Sequence, residues 1–324
     1  MRVLLIGNGS MSKRRQRCLK ALGHNDFAVW DVTDKATIDE VAQICKPDAM
    51  IVSSPPKTKG EYIELAAKLG IPVFCEADVV SYTEGPYYPS CSLIYHPGIQ
   101  KIHELLDNEA LGRIYCFTYH QGMHLRDWRP KGFDFKGYYA AEHATREMFC
   151  FELSWLSYLF GTPTDATGFI NKKLYDLDIT ADDVYSASVK FHNEKAIAEY
   201  ICGIPIYPSR YDELKKQFSV IGNVLIEILS RPAIRELRIV GEKCNLLWNW
   251  NNSYISLEHP DGAVITYGYD KGKAADGYNA NICEQMYIAE MQNFIDAIQN
   301  KAEYLFSRDD EKAVMDMLKK VEGK

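Results

Sequence analysis

The hexapeptide Gly7-Asn8-Gly9-Ser10-Met11-Ser12 has the residue types that cradle a phosphate. A first glycine permits a tight turn, and a second lets backbone amides approach a pyrophosphate. The helix N-terminus that follows favours the negative charge. Serine holds the third place of the G-x-G-x-x-G pattern, where a small residue suffices for helix–strand packing. Asp31 follows about twenty residues on, as that pattern requires. An acid there accepts from adenosine ribose hydroxyls and repels a 2′-phosphate, so NAD is expected over NADP. The competing reading is a doubly wound domain whose glycine turn holds nothing.

Such a turn works only between a strand and a helix. Val3–Ile6 is a continuous apolar run, as expected of a strand buried on both faces. A helix is expected over 12–22, a strand over Phe27–Trp30 and a helix over 37–45. A strand over Ala49–Val52, a helix over 60–69 closed by Gly70, and a strand over Val73–Cys75 follow. This alternation predicts an α/β Rossmann domain with a doubly wound parallel sheet over residues 1–98. Residues 99–324 are expected to form an α+β domain with a mainly antiparallel open sheet. Helices are read over 99–106, 148–160, 283–298 and 309–321. Strands are read over 113–120, 184–191, 195–202, 217–221, 235–240, 245–250, 254–258 and 264–267. The C-terminal helices are free to return to the first domain.

Composition narrows the function classes. With 324 residues, 47% hydrophobic and 25% charged, the chain has ordinary globular proportions. A formal charge of −7 argues against a nucleic-acid partner, which needs a basic face. The basic cluster Lys13-Arg14-Arg15 with Arg17 is read as the solvated face of the first helix, a phosphate contact being the alternative. No apolar run is long enough to span a membrane. Nine cysteines without CxxC or zinc-like spacing fit reduced thiols in the cytoplasm, and no metal site is expected.

Segments 7–23, 48–76, 95–106, 151–163, 231–248 and 284–298, in that order, resemble the Gfo/Idh/MocA family of dinucleotide-dependent sugar oxidoreductases. The resemblance covers nearly the whole chain. It implies a Rossmann domain followed by a domain whose open sheet faces the nicotinamide and often forms a dimer interface, hence a homodimer or homotetramer. The implied substrate is a sugar-type small molecule. Ser53, Ser54, Pro55 and Pro56 match the loop lining the cofactor, and Glu76 matches the glutamate of the family's Glu-Lys-Pro motif on the nicotinamide ribose side.

The chemistry-bearing positions depart from the family. Its lysine falls on Ala77 and its proline on Asp78, while its helical His and Asp fall on Phe151 and Ser154. Oxidising a secondary alcohol needs a base placed beside the hydride path, and alanine and phenylalanine cannot accept a proton. Glu147, one turn before Phe151 on the same helical face, is the first replacement considered; its other reading is a carboxylate that complements the helix dipole. His143, Asp78 and Tyr139 are further catalytic candidates. Arg146, Trp128 and Tyr138 are candidates for substrate contact, Arg146 for an anionic substrate or for pairing with Glu142. Glu152 is read as structural, and His96 as holding the domain junction. The expected function is an NAD-dependent oxidoreductase acting on a sugar, nucleotide sugar or polyol with a rearranged acid–base set. The alternatives are an NAD-assisted epimerase or lyase, and a non-catalytic NAD- or sugar-binding sensor or scaffold.

Overall fold

The structure, a computed structural model, describes residues 1–77, 86–128, 145–173, 181–193, 197–198, 200–202, 207–270, 272–273 and 283–323. The chain divides into two compact units, Met1–Tyr95 with Cys283–Glu311, and His96–Ile282 with Lys312–Lys324. The sequence alone places the boundary at residue 98.

The first unit alternates β1 (Val3–Ile6), α1 (Ser10–Ala21), β2 (Phe27–Trp30), α2 (Ile38–Cys45), β3 (Ala49–Val52), α3 (Pro56–Leu69), β4 (Val73–Cys75) and β5 (Tyr88–Pro89). The strands are parallel in the order β2-β1-β3-β4-β5. Strand periodicity sends alternate residues to opposite faces, and both faces are covered. Leu4, Ile6, Met50 and Val52 pack with Ala42 of α2 and Ile63 and Ala66 of α3. Val3, Leu5, Ala49 and Ile51 pack with Cys18 and Leu19 of α1 and with Met291 and Phe294 of the helix Glu284–Ile298. This is the doubly wound architecture expected from the apolar runs.

Helix α2 starts at a capping box: Thr37 accepts from the Glu40 amide while the Glu40 carboxylate accepts from the Thr37 amide. Helices α1 and α3 begin at Ser10 and Pro56, earlier than 12 and 60. Pro56 fits the first turn because its missing N–H would have no intrahelical partner there. The two-residue β5 gave no periodic signal; its pairing with β4 defines it.

The second unit holds α4 (Pro97–Asp107), β6 (Ile114–Gly122), α5 (Leu125–Trp128), α6 (Thr145–Phe160), β7 (Thr162–Asn171), β8 (Val184–His192), α7 (Pro208–Gln217), β9 (Ser219–Glu227), β10 (Ile234–Gly241), β11 (Asn245–Asn249), β12 (Tyr254–Glu258) and β13 (Val264–Gly268). They include an eight-stranded sheet in the order β13-β12-β11-β10-β6-β9-β8-β7. Among the described residues only the β6–β9 pairing of this sheet is parallel. Helix α6 lays Phe149, Leu153, Trp155 and Phe160 into the core, where Phe160 stacks on Phe117 at 4.1 Å and Trp155 meets Tyr119 edge-on at 5.1 Å.

Three expectations need correction here. The strand expected over 195–202 is helical at Ile197, Ala198 and Tyr200, and the Ile201 amide bonds to Ile197 four residues back. Its apolar residues sit at helical as well as strand spacing, and periodicity cannot separate the two over so short a run. The strand expected over 217–221 is displaced to Ser219–Glu227 by α7, which the sequence reading missed. Edge strand β7 was also missed, because it alternates in exposure with few apolar residues. Among the described residues no helix is long and apolar enough to cross a membrane.

Candidate functional site

Parallel strands end on one side of the first unit, where an open α/β sheet binds its ligands. Four hydrogen bonds carry the ladder past the strand ends: Gly7 N to Trp30 O at 2.8 Å, Ser53 N to Ile6 O at 2.9 Å, Glu76 N to Val52 O at 3.0 Å and Ser90 N to Cys75 O at 2.8 Å. Gly7, Ser53, Glu76 and Ser90 are thereby aligned in adjoining turns. Gly7 sits at φ +94°, and a Cβ there would lie 2.9 Å from the Ser53 carbonyl oxygen, so the turn requires glycine.

Gly9 caps α1 without a side-chain hydrogen bond, the first turn carries no acid, and a Cβ on Gly9 would meet open space. The amides at Ser10 and Met11 therefore border a cradle suited to an anion. Asp31, just past β2, closes one side. Its Oδ2 accepts from the Asn8 amide at 3.0 Å, and its Oδ1 from the Thr33 amide at 3.2 Å and hydroxyl at 2.9 Å. The Thr33 bonds, with that from Asn8, hold the Asp31 carboxyl below its ordinary value. The buried Ser53 hydroxyl has no protein partner among the described residues. A helix N-terminus, an acid beside it and an orphaned hydroxyl across the turn fit a dinucleotide.

Two of the four clustered basic residues of α1 depart from the solvated-face reading, while Lys13 is exposed and Arg17 partly so. Arg14 and Arg15 are buried, and both face carboxylates of the same unit. Arg15 Nε and Nη2 reach the two oxygens of Glu76 at 2.7 and 3.1 Å, its Nη1 reaches Glu290 at 2.6 Å, and its Nη2 reaches Ser90 Oγ at 3.0 Å. Arg14 and Arg17 share Glu284. Glu76, expected at the cofactor, is thus first of all the partner of Arg15. A second residue escaped the sequence reading: Lys59, buried in the first turn of α3, donates to the Ala77 carbonyl. Its place one turn after Pro55-Pro56 was the only signal.

In the second unit, the site candidates on α6 are described. Arg146 donates to Glu322 at 2.7 Å and is buried, so its guanidinium is engaged within the protein by Glu322. Glu147 is half-buried in the first turn, on the same stripe as half-buried Phe151. Ser154 donates back to the Cys150 carbonyl at 2.8 Å. Glu152 accepts from Tyr119 at 2.6 Å and Trp155 at 2.7 Å, and also pairs with Arg235. Burial pushes the Tyr119 phenol well above its ordinary range, although Arg235 opposes this. His96 stacks on Trp250 at 4.3 Å within this unit. His143, Asp78, Tyr138 and Tyr139 lie outside the described residues, as does the side chain of Trp128. Among the described residues no group of three or more His, Cys, Asp or Glu could hold a metal ion.

Residues 99–223 match the family described as the GFO/IDH/MocA C-terminal domain. Solved structures share the fold over the full chain. An oxidoreductase from Agrobacterium radiobacter, in complex with NAD+, L-tartaric acid and magnesium, has a TM-score of 0.75 at 12% identity, covering 100% of this chain and 95% of that one. The UDP-N-acetylglucosamine 3-dehydrogenase GnnA from Acidithiobacillus ferrooxidans gives 0.71 at 15%, covering 100% and 97%. The WlbA dehydrogenase from Bordetella pertussis, in complex with NADH and UDP-GlcNAcA, gives 0.68 at 12%, covering 100% and 95%. No curated protein matches the sequence.

Proposed function

We propose that the chain, whose residues 99–223 match the GFO/IDH/MocA C-terminal domain, is an NAD-dependent oxidoreductase of the Gfo/Idh/MocA type acting on a hydroxyl of a sugar or nucleotide sugar. The observation that carries this reading is the turn at Gly7–Ser12, where the N-terminus of α1, lacking a side-chain cap, faces open space at Gly9 with Asp31 beside it. The amides at Ser10 and Met11 hold the pyrophosphate, and Ser53 and Glu76 line the other half of the crevice. Asp31 accepts from the adenosine ribose, and its charge disfavours a 2′-phosphate, hence NAD over NADP. When bound, the dinucleotide supplies the hydride-accepting ring. Glu147, half-buried at the start of α6, takes the proton of the reacting hydroxyl. Fold likeness to two nucleotide-sugar dehydrogenases supports the substrate class.

A second reading, a sensor that binds the dinucleotide without turnover, is favoured by Ala77 at the end of β4 and by Ser154 bonded back into its own helix. One experiment separates the two. NAD is expected to raise the melting temperature, and a panel of UDP-hexoses and UDP-N-acetylhexosamines to yield NADH absorbance that Glu147→Gln abolishes without lowering the melting temperature. An NAD-dependent shift with no turnover on any of these supports the sensor. No shift with NAD ends both readings.

A further inference from the structure

Arg15 is a buried cation in contact with two carboxylates, and only one member of that cluster reaches outward. Its side chain and that of Glu290 are fully buried, whereas Glu76 is 14% exposed. Four segments of the first unit meet at this guanidinium: α1 itself, the turn after β4, the turn after β5, and the helix Glu284–Ile298. Helical side chains lean toward the helix N-terminus, so Arg15 is aimed at the side of the sheet where the strands end.

The donors and acceptors of the cluster are consistent throughout. The Ser90 hydroxyl accepts from Arg15 and donates to Glu290 at 3.0 Å, and the Cys91 amide donates to the same oxygen at 2.6 Å. Both Glu290 oxygens thus face donors only, as an ionised carboxylate requires. Burial pushes the Glu290 carboxyl up and Arg15 opposes it. Burial would lower the Arg15 guanidinium, yet Glu290 and Glu76 hold it well above its ordinary value. The Phe74 ring lies 4.5 Å beneath the guanidinium. Arg15 is therefore fixed from the interior side by Glu290, Ser90 and Phe74.

Glu76 is held by Arg15 in turn, in a bidentate pair that sets both the position and the plane of its carboxylate. Among the described residues each oxygen takes one N–H, and a carboxylate has about four acceptor sites in all. Acceptor capacity remains on the group that is partly exposed at the end of β4. Asp31, past β2, marks the adenosine side of the crevice and the glycine turn its middle. The β4 end then belongs to the second ribose of a dinucleotide laid across the strand ends.

We infer that Arg15 is a positioning residue for cofactor binding: it presents Glu76 as a fixed acceptor for the hydroxyls of the nicotinamide-side ribose. This rests on the dinucleotide reading given above. A purely structural Arg15 would stabilise the unit without discriminating between the two halves of the ligand.

ADP, which lacks the second ribose, separates these roles in titrations of the full chain alongside NAD. Arg15→Lys keeps the charge and loses the bidentate geometry. It is expected to weaken NAD about five- to tenfold and ADP less than about twofold. Glu76→Gln should weaken NAD by about tenfold, and the double variant no more than Glu76→Gln alone, because Arg15 acts through Glu76. Should Arg15→Lys not fold, Glu290→Gln withdraws the second anchor of Arg15 and is expected to weaken NAD about threefold with ADP unchanged. Equal losses for NAD and ADP, no loss for either, or additive losses in the double variant overturn the inference. If the wild-type chain binds NAD and ADP, such a failure touches Arg15 alone. If it binds neither, the dinucleotide reading falls and this inference with it.

Discussion

Each unit buries a carboxylate against a guanidinium and aromatic rings, but the two clusters differ in what remains to be satisfied. In the second unit, Glu152 is 2% exposed and its oxygens take Arg235, Tyr119 and Trp155. Arg235 also lies 4.7 Å over the Trp250 ring. There the carboxylate is the closed member and Arg235, 19% exposed, is the outward one, and the hydrogen bonds join α6 to β6 and β10. In the first unit, Glu76 spends one bond per oxygen on Arg15 and keeps an exposed edge at the end of a parallel strand. The lesson is that a charge pair reads as architecture when its carboxylate is sealed among its donors, and as part of a binding surface when the carboxylate keeps an exposed edge where the fold delivers ligands.

The largest expected effect breaks the closed cluster. Arg235→Met leaves Glu152 buried without its counter-charge and should cost about 3–5 kcal/mol of stability by urea unfolding. The NAD titration of the surviving folded protein is expected to match wild type; a selective loss of NAD affinity would erase the contrast between the clusters.

Glu227 sharpens the comparison next, as a carboxylate held mostly by neutral donors. Burial pushes its pKa up, but His120 at 2.9 Å, the Ser230 hydroxyl and the Leu229 and Ser230 amides outweigh this and bring it down to about 2. The folded pKa lies below the unfolded one, so the stabilisation is present above the ordinary carboxylate value of about 4.3 and is lost as pH falls from there toward about 2. Glu227→Gln should remove roughly 3 kcal/mol at neutral pH and flatten the acid limb of stability against pH. An unchanged acid limb would show that the Glu227 bonds carry no linkage.

The smallest effect is expected at the adenosine side. Asp31→Ala should weaken NAD about tenfold, close to 1.4 kcal/mol, while NADP affinity is unchanged or improved. Equal losses for both dinucleotides would remove Asp31 as the discriminating group.

Much of the first unit was legible from residue patterns. The four-residue runs of β1 and β3, the glycine turn and the acid after β2 dictated a parallel sheet, and the sheet is present with its glycine turn in place. The charge cluster was not legible. Lys13-Arg14-Arg15 with Arg17 reads as a surface run because charged residues are rarely buried, and the carboxylates that receive Arg15 lie 61 and 275 positions away. Local spacing carries no trace of partners that distant. In the second unit the mainly antiparallel sheet was legible, but β7, α7 and the helical turn at Ile197 were not, since β7 and α7 carry few apolar residues and the turn at Ile197 is short. Arg146 was open to an anion or to Glu142 on paper; the structure gives it Glu322, 176 positions away, which sequence spacing could not bring near.

By itself the sequence determined the local matters: which residues can turn, cap, bury on two faces or accept from a ribose. These follow from covalent geometry, periodicity and side-chain chemistry within a few residues. It also determined that Ala77 bears no amine. The tertiary structure alone decided which charges are neutralised, that Arg15 is interior, that Glu76 is held yet retains acceptor capacity, and that Glu152 is buried among three donors. A charge acquires its role from the partners and the solvent it meets once folded, and both depend on contacts between segments far apart in the chain.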